Sequence, residues 1–227
     1  LVLCYDNKVN WRRDYFPNYK HSRRKDRKVS KLDWNQIFDT LHMIRDELQE
    51  FFPYKVLEVD NAEADDIIAA IVAHVAAKPS NYEKVLILSS DKDFIQLQKH
   101  NFVSQYSPIQ KQFINGVCPH TYIKEHVLKG DRSDGVPNFL SPDNTFVDEL
   151  RQRPISKRKL ETWIELEPED FCNEDMLRNY QRNRTLIDFN YIPDDIKQKC
   201  INTYLDTPEG SRKHLLNYFI KNKLKSL

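Results

Sequence analysis

Lys84-Val85-Leu86-Ile87-Leu88-Ser89-Ser90-Asp91-Lys92-Asp93 is the stretch that decides the fold. Its apolar centre, Val85 to Leu88, reads as the clearest buried strand of the chain. Two acids, Asp91 and Asp93, follow it at once. The same order recurs upstream. Leu1-Val2-Leu3-Cys4-Tyr5 is a short apolar run closed by Asp6-Asn7. Lys55 to Val59 is strand-like, and Glu63, Asp65 and Asp66 follow it and open a helix.

Working outward, helices alternate with these strands. Leu32, Ile37, Leu41, Ile44 and Leu48 keep a helical period over Leu32 to Phe52, and Pro53 is a stop signal. Ala62 to Lys78 is a helix apolar on nearly every side, as expected of one buried between layers. Phe102 to Tyr106 and Gln112 to Ile114 are shorter strands joined at Ser107-Pro108. This alternation predicts an α/β fold, with a mainly parallel central sheet flanked by helices. After Gly116 the character changes. Pro119 to Lys129, Asp175 to Phe189, Pro193 to Leu205 and Ser211 to Leu224 read as helices, with an irregular polar stretch between Ser133 and Glu174. The expected division is therefore a core over residues 1–115 and a helical region over 116–227. Repeats and low-complexity tracts are absent.

In an open parallel sheet the usual active site is the crevice beyond the carboxyl ends of the strands. Three strand ends deliver acids there, and Asp131 and Asp134 follow a helix and Gly130. Asp91 and Asp93 share a side if extended geometry persists. Glu63 and Asp66 share a face at a helix start, and Asp131 and Asp134 have the same spacing. Crowded carboxylates raise one another's pKa, and divalent metal is the natural compensation. The ligand set is all oxygen, which selects Mg²⁺ or Mn²⁺ over zinc. The bland reading of each acid alone is a helix cap or a turn residue.

The chain has 227 residues and 30% charged residues, yet a net charge of only +1. That balance hides segregation. Between Lys8 and Lys31 lie Lys8, Arg12, Arg13, Lys20, Arg23, Arg24, Lys25, Arg27, Lys28 and Lys31, against only Asp14 and Asp26. Trp11, Tyr15, Phe16 and Tyr19 are interleaved. Cations neutralise phosphates and aromatic faces stack bases. The segment shows no clear apolar face, so it is expected to be mobile and to order on binding nucleic acid. The plain alternative is a solvated charged loop. Cys4, Cys118, Cys172 and Cys200 form no Cys-x-x-Cys pair, which argues against zinc or a redox pair and for reduced thiols in a cytosolic protein. The longest apolar run is too short to span a bilayer. Because Leu1 to Tyr5 already reads as a strand, the chain is expected to be a fragment lacking N-terminal material.

Six motifs, in order, carry a resemblance. They are Cys4-Tyr5-Asp6-Asn7, Trp11-Arg12-Arg13-Asp14, Glu63-Ala64-Asp65-Asp66 and Ser89-Ser90-Asp91-Lys92-Asp93-Phe94 with Gln96-Leu97. Leu128-Lys129-Gly130-Asp131 with Asp134 is next, and Leu186-Ile187-Asp188-Phe189 with Tyr191-Ile192-Pro193-Asp194 is last. The chain resembles the flap-endonuclease superfamily of 5′-nucleases, in its T-even bacteriophage ribonuclease H branch. The resemblance implies a PIN-like 5′-nuclease core and a DNA-binding helical region. It implies a two-metal enzyme that removes RNA primers and 5′ flaps, working 5′ to 3′. One ion would take Asp6, Glu63, Asp65 and Asp91, and a second Asp93, Asp131 and Asp134. Asp66 belongs to the same acidic motif and is counted with the ligands. Residues 8–31 would form an arch over a 5′ single strand. In it Arg12 and Lys20 would contact the scissile phosphate, Tyr19 would stack, and Trp11, Arg13, Arg23, Arg24, Lys25 and Arg27 would bind nucleic acid. Implied partners are 5′-flap DNA or an RNA–DNA hybrid, with a sliding clamp and a single-strand-binding protein; no stretch reads as a contact for either protein. A monomer is expected.

Two departures stand out. The family carries a further Asp on an earlier strand that this chain lacks. Gly130-Asp131-Arg132-Ser133-Asp134-Gly135-Val136-Pro137 also runs into Asn138-Phe139-Leu140 without the glycine turn that grips duplex backbone, leaving Lys157, Arg158 and Lys159 as alternative phosphate contacts. The rival readings are a PIN-like ribonuclease of single-stranded RNA and a non-catalytic DNA-binding protein.

Overall fold

The computed structural model describes residues 1–78 and 84–224. The last three residues of the expected 116–227 region lie outside them. The first half runs β1 (Val2–Tyr5), α1 (Trp11–Tyr15), α2 (His21–Val29), α3 (Trp34–Phe51), β2 (Lys55–Glu58), α4 (Ala64–Ala76) and β3 (Val85–Leu88). A 3-10 segment (Lys92–Lys99), β4 (Val103–Ser107) and β5 (Gln112–Phe113) follow. The second half is helical: α5 (Pro119–Lys129), α6 (Lys157–Ile164), α7 (Pro168–Phe171), α8 (Glu174–Ile187), α9 (Asp194–Asp206) and α10 (Leu215–Lys221).

The chain packs as two compact units that interleave in sequence. Leu1–Asn10, Arg27–Ile71 and Asp195–Leu227 form the first; Trp11–Asp26 and Val72–Asp194 form the second. In the first unit β1 and β2 pair in parallel, with Val2 opposite Lys55 and Tyr5 opposite Glu58. Helix α3 starts where the Asp33 carboxylate accepts the Gln36 N–H at 3.1 Å. It ends before Pro53, which holds Phe52 extended (φ −109°, ψ 153°). The C-terminal helices complete this unit. Lys55 Nζ donates to the Tyr204 carbonyl at 3.0 Å, Tyr218 donates to Glu47 at 2.6 Å, and the Tyr218 ring stands 5.0 Å from Phe51 and 5.3 Å from Phe52.

In the second unit β3 pairs in parallel with β4, and β5 turns back antiparallel on β4. Phe16, Tyr19, Val127, Leu128, Val136, Phe139, Leu186 and Ile187 share one buried cluster. Trp163 stacks on Phe171 at 5.4 Å, and both meet Phe139 edge-on.

The fold is α/β with parallel strand pairs and a helical C-terminal region, as the alternation predicts. Four details differ. The strands fall into two sheets among the described residues. β3 buries Ile87 but exposes Leu86 and Leu88, so only one of its faces is covered. The basic stretch carries α1 and α2, and it buries Trp11, Phe16 and Tyr19, so its aromatics supply the apolar face its charges obscured. The polar stretch before Glu174 contains α6 and α7, and the last expected helix divides into a 3-10 turn (Arg212–His214) and α10. Among the described residues no helix is long and apolar enough to cross a membrane.

Gly130 ends α5 with φ +67°, and a Cβ there would stand 2.6 Å from the Pro137 carbonyl carbon. Left-handed backbone and missing space both demand glycine. Gly130→Ala should destabilise by about 1–3 kcal/mol, measured as a lower urea midpoint.

Candidate functional site

Each unit gathers its own acids at the carboxyl ends of its strands. In the first unit, Asp6 follows β1 and accepts the Ala64 N–H at 2.8 Å. The Asn7 N–H donates to the Ala62 carbonyl at 3.1 Å, tying the ends of β1 and β2 together. Asp65 Oδ1 accepts the Asp66 N–H at 2.8 Å. Asp6, Glu63 and Asp65 thus share one sheet end. Asp6 is exposed, Glu63 is buried, and Asp66 lies deeper still. It is fully buried and its Oδ2 accepts the Glu63 N–H at 3.0 Å. It caps the start of α4 from inside, which corrects its place among the ligands.

In the second unit Asp91 caps the 3-10 segment, its Oδ1 accepting the Asp93 N–H at 3.0 Å. Buried Gln105 pins this turn, its Nε2 donating to the carbonyls of Ser89 (3.0 Å) and Asp91 (2.5 Å). Asp131 Oδ1 accepts the N–H of Ser133 at 2.7 Å and of Asp134 at 3.2 Å. His126 stands between two acids, its Nδ1 3.2 Å from Asp93 Oδ1 and its Nε2 3.6 Å from Asp131 Oδ2. Tyr122, one turn earlier on α5, donates to Asp93 at 3.3 Å and meets the His126 ring edge-on at 5.6 Å.

The electrostatics follow. Partial enclosure of its carboxyl raises Asp91, and Asp93 and Asp131 add to this. Burial raises Asp134, with Asp131 contributing, against the lowering effect of Lys20. Burial alone would depress His126, but the neighbouring carboxylates of Asp131 and Asp93 raise it to about 9. Burial acts to raise Asp131, yet His126 and Ser133 outweigh it and hold its carboxyl well below the usual range. Counter-charge here therefore comes partly from the chain itself. Among the described residues no group of three or more His, Cys, Asp or Glu side chains is set to ligate a metal; Asp93 and Asp131 flank His126, and Asp134 faces Tyr19, Lys20 and Arg23. The donor set still suits a hard cation: oxygen atoms dominate and their charges repel one another.

The basic segment docks on the same cluster. Tyr19 donates to Asp134 Oδ2 at 2.8 Å. The Lys20 N–H donates to the Asp134 carbonyl at 2.7 Å, and its ammonium lies 3.7 Å from the Asp134 carboxylate. Arg23 bonds Asp134 Oδ1 at 2.5 Å. Lys25 pairs with Glu149. Arg24 is exposed, and Arg27 lies over the rings of Trp34 (5.2 Å) and Phe38 (4.9 Å). Three expectations are corrected by burial. Trp11 and Tyr19 are buried, so neither ring presents a face to a base. Arg12 is 2% exposed and its Nε donates to the Leu186 carbonyl at 2.9 Å, so it braces the interior and does not face a phosphate. Arg13 is half-buried, and its Nε is enclosed without a hydrogen-bond partner among the described residues.

Residues 1–127 match the family described as 5′-3′ exonuclease, N-terminal resolvase-like domain, and residues 118–227 match T4 RNase H, C terminal. Ribonuclease H of Enterobacteria phage T4 is 35% identical over 236 aligned positions, covering 100% of this chain and 76% of that protein. The chain belongs to the 5′-3′ exonuclease family. Within that family, a 5′-3′ exonuclease of Buchnera aphidicola subsp. Acyrthosiphon pisum is 25% identical, covering 88% of the chain and 73% of the relative. The family fold recurs in a flap endonuclease of bacteriophage T5, solved as a pseudo-enzyme–product complex with DNA and metal ions. Its TM-score is 0.60 at 17% identity, over 90% of this chain and 82% of that one. A T5 5′-exonuclease with bound divalent zinc gives a TM-score of 0.58 at 17% identity, over 91% and 83%.

His126, Tyr122 and Gln105 escaped the sequence reading. The available signal was the four-residue spacing of Tyr122 and His126, which puts both on one face of a helix that ends at the Asp131 turn.

Proposed function

We propose that this chain is a divalent-metal-dependent phosphodiester hydrolase that removes RNA primers and 5′ flaps from DNA, working 5′ to 3′ in replication or repair. One observation carries the reading: the Asp91, Asp93, Asp131 and Asp134 cluster lies against Lys20 and Arg23, cations of the basic segment. Acids able to hold hard cations thus adjoin groups able to hold a phosphate. Family membership supports the same reaction class. The division into a nuclease core (1–115, with an arch at 8–31) and a DNA-binding helical region (116–227) belongs to this reading.

Asp6, Glu63 and Asp65 in the first unit, and Asp91, Asp93, Asp131 and Asp134 in the second, are the residues we assign to two Mg²⁺ ions, with Mn²⁺ as a substitute. Bound there, the ions would supply an activated water and charge stabilisation for the leaving oxygen. The chain's own part is positioning. Lys20 and Arg23 neutralise and orient the phosphate, and His126 and Tyr122 fix the Asp93 and Asp131 carboxylates. Nucleic acid with a 5′ flap or an RNA–DNA hybrid is the assigned partner.

Labelled 5′-flap DNA, an RNA–DNA hybrid and plain single-stranded RNA, each with Mg²⁺, test this reading. Preference for plain RNA would favour the ribonuclease alternative. Absence of both turnover and calorimetric Mn²⁺ binding would favour a non-catalytic DNA-binding protein. Lys20→Ala should lower the cleavage rate and reduce the salt slope of DNA binding by about one unit; an unchanged slope removes Lys20 from the phosphate path.

A further inference from the structure

The second unit holds a cavity of about 400 Å³ between the Lys92–Lys99 segment, α5, α7 and α8, and none of the carboxylates assigned above lines it. One wall is apolar, made by Pro119, Ile123, Val127 and Pro168. Lys124 stands in that wall with its side chain only 10% exposed. Its ion-pair partner among the described residues is Glu167, 4.0 Å away and 79% exposed. An enclosed ammonium loses hydration, and a solvated carboxylate at that range returns little. Two more cations line the opening. Lys99 donates to Asn190 Oδ1 at 2.8 Å, and the Arg184 guanidinium lies over the Tyr191 ring at 4.7 Å. The remaining acid, Asp188, is engaged by its own turn, accepting the Asn190 N–H at 2.9 Å and Nδ2 at 2.7 Å.

An apolar wall beside a largely enclosed ammonium whose ion-pair partner is solvated, with two further cations nearby, is the chemistry of a small anionic ligand site. We propose that this cavity binds a nucleotide, its phosphate on Lys124, Lys99 and Arg184 and its sugar and base along the apolar wall. The nucleotide is either free or a residue of a strand, and phosphate recognition is common to both. The site depends on the geometry of the second unit alone and stands or falls separately from the nuclease reading.

Calorimetry on the full chain in chelator tests it with three probes: deoxythymidine 5′-monophosphate, thymidine and a single-stranded oligodeoxynucleotide. A phosphate-bearing probe should bind saturably, and thymidine should not. Lys124→Gln should weaken that binding at least about tenfold, the usual cost of losing a charge-assisted bond. Asp91→Asn should leave it unchanged. Sensitivity of the monophosphate marks a free nucleotide; sensitivity of the oligonucleotide alone marks a strand. Equal affinity of parent and variant for both phosphate probes, or binding of thymidine as tight as its monophosphate, overturns the proposal. Should Lys124→Gln fail to fold, Arg184→Gln at the exposed rim decides by the same comparison, with a loss of about threefold or more expected.

Discussion

Asp91→Ala should lower single-turnover cleavage of a 5′-flap substrate on the order of a thousandfold, while DNA affinity changes by less than about twofold. The reason is the division of labour at the cluster. On the proposed assignment Asp91 would contribute charge where a cation binds, whereas Lys20 and Arg23, which pair with Asp134, would hold phosphate. Removing a ligand withdraws stabilisation that matters most in the transition state. The turn itself should survive, because Gln105 holds the Ser89 and Asp91 carbonyls through the backbone, and that does not depend on the Asp91 side chain. The melting temperature should fall by only about 2–4 °C, the cost of losing the Asp91 cap on the Asp93 N–H. A variant that cleaves at the parental rate would end the assignment of this cluster to catalysis.

Arg182→Ala should cost about 3–5 kcal/mol of stability, which for a chain of this size is roughly 6–20 °C in Tm. Arg182 is 3% exposed. It bonds Asp143 at 2.5 Å and the Pro137 carbonyl at 2.9 Å. Its neighbour Asn183 donates to the carbonyls of Val127 (2.8 Å) and Pro137 (2.9 Å). Together they hold the irregular backbone that follows Asp131 and Asp134 onto α8. Truncation would empty a buried volume, take one of two donors from the Pro137 carbonyl and leave Asp143 to Arg178 alone. Burial pushes the guanidinium down, and it also acts to raise Asp143. For the more exposed carboxylate, pairing with Arg178 and Arg182 outweighs burial and holds it below the usual range. A depressed carboxyl stabilises above its unfolded pKa of about 3.9 and loses that contribution as pH falls through its folded value. The variant should therefore also show a shallower acid limb. An unfolding free energy, extrapolated from urea, within about 1 kcal/mol of the parent would contradict the bracing role.

The strands, the helices and the acids at strand ends were legible in the sequence because each rests on local rules. Val85 to Leu88, Lys55 to Glu58 and Pro119 to Lys129 are short-range patterns of burial and capping. Arg12 and Tyr19 were misread because a cation or a phenol in a charged run looks solvated, and only tertiary packing reveals that Leu186 and Asp134 claim them. His126 was overlooked because its partners, Asp93 and Asp131, lie at separations no periodicity records. Asp66 shares a motif with Asp65 but points inward, and adjacency in sequence says nothing about which acid keeps access to solvent.

The interleaving of the two units sets an order of assembly during synthesis. All of Trp11–Asp26 and Val72–Asp194 is synthesised before any of Asp195–Leu227, so the sequence of the second unit is complete while β1, β2 and α3 still wait for α9 and α10. A ribosome that stalls near residue 194 would release a chain with Phe51, Phe52 and Lys55 stripped of Tyr218 and Tyr204. Such a nascent chain would carry a finished half and a sticky one, and the final helices decide whether it reaches the native state or a chaperone.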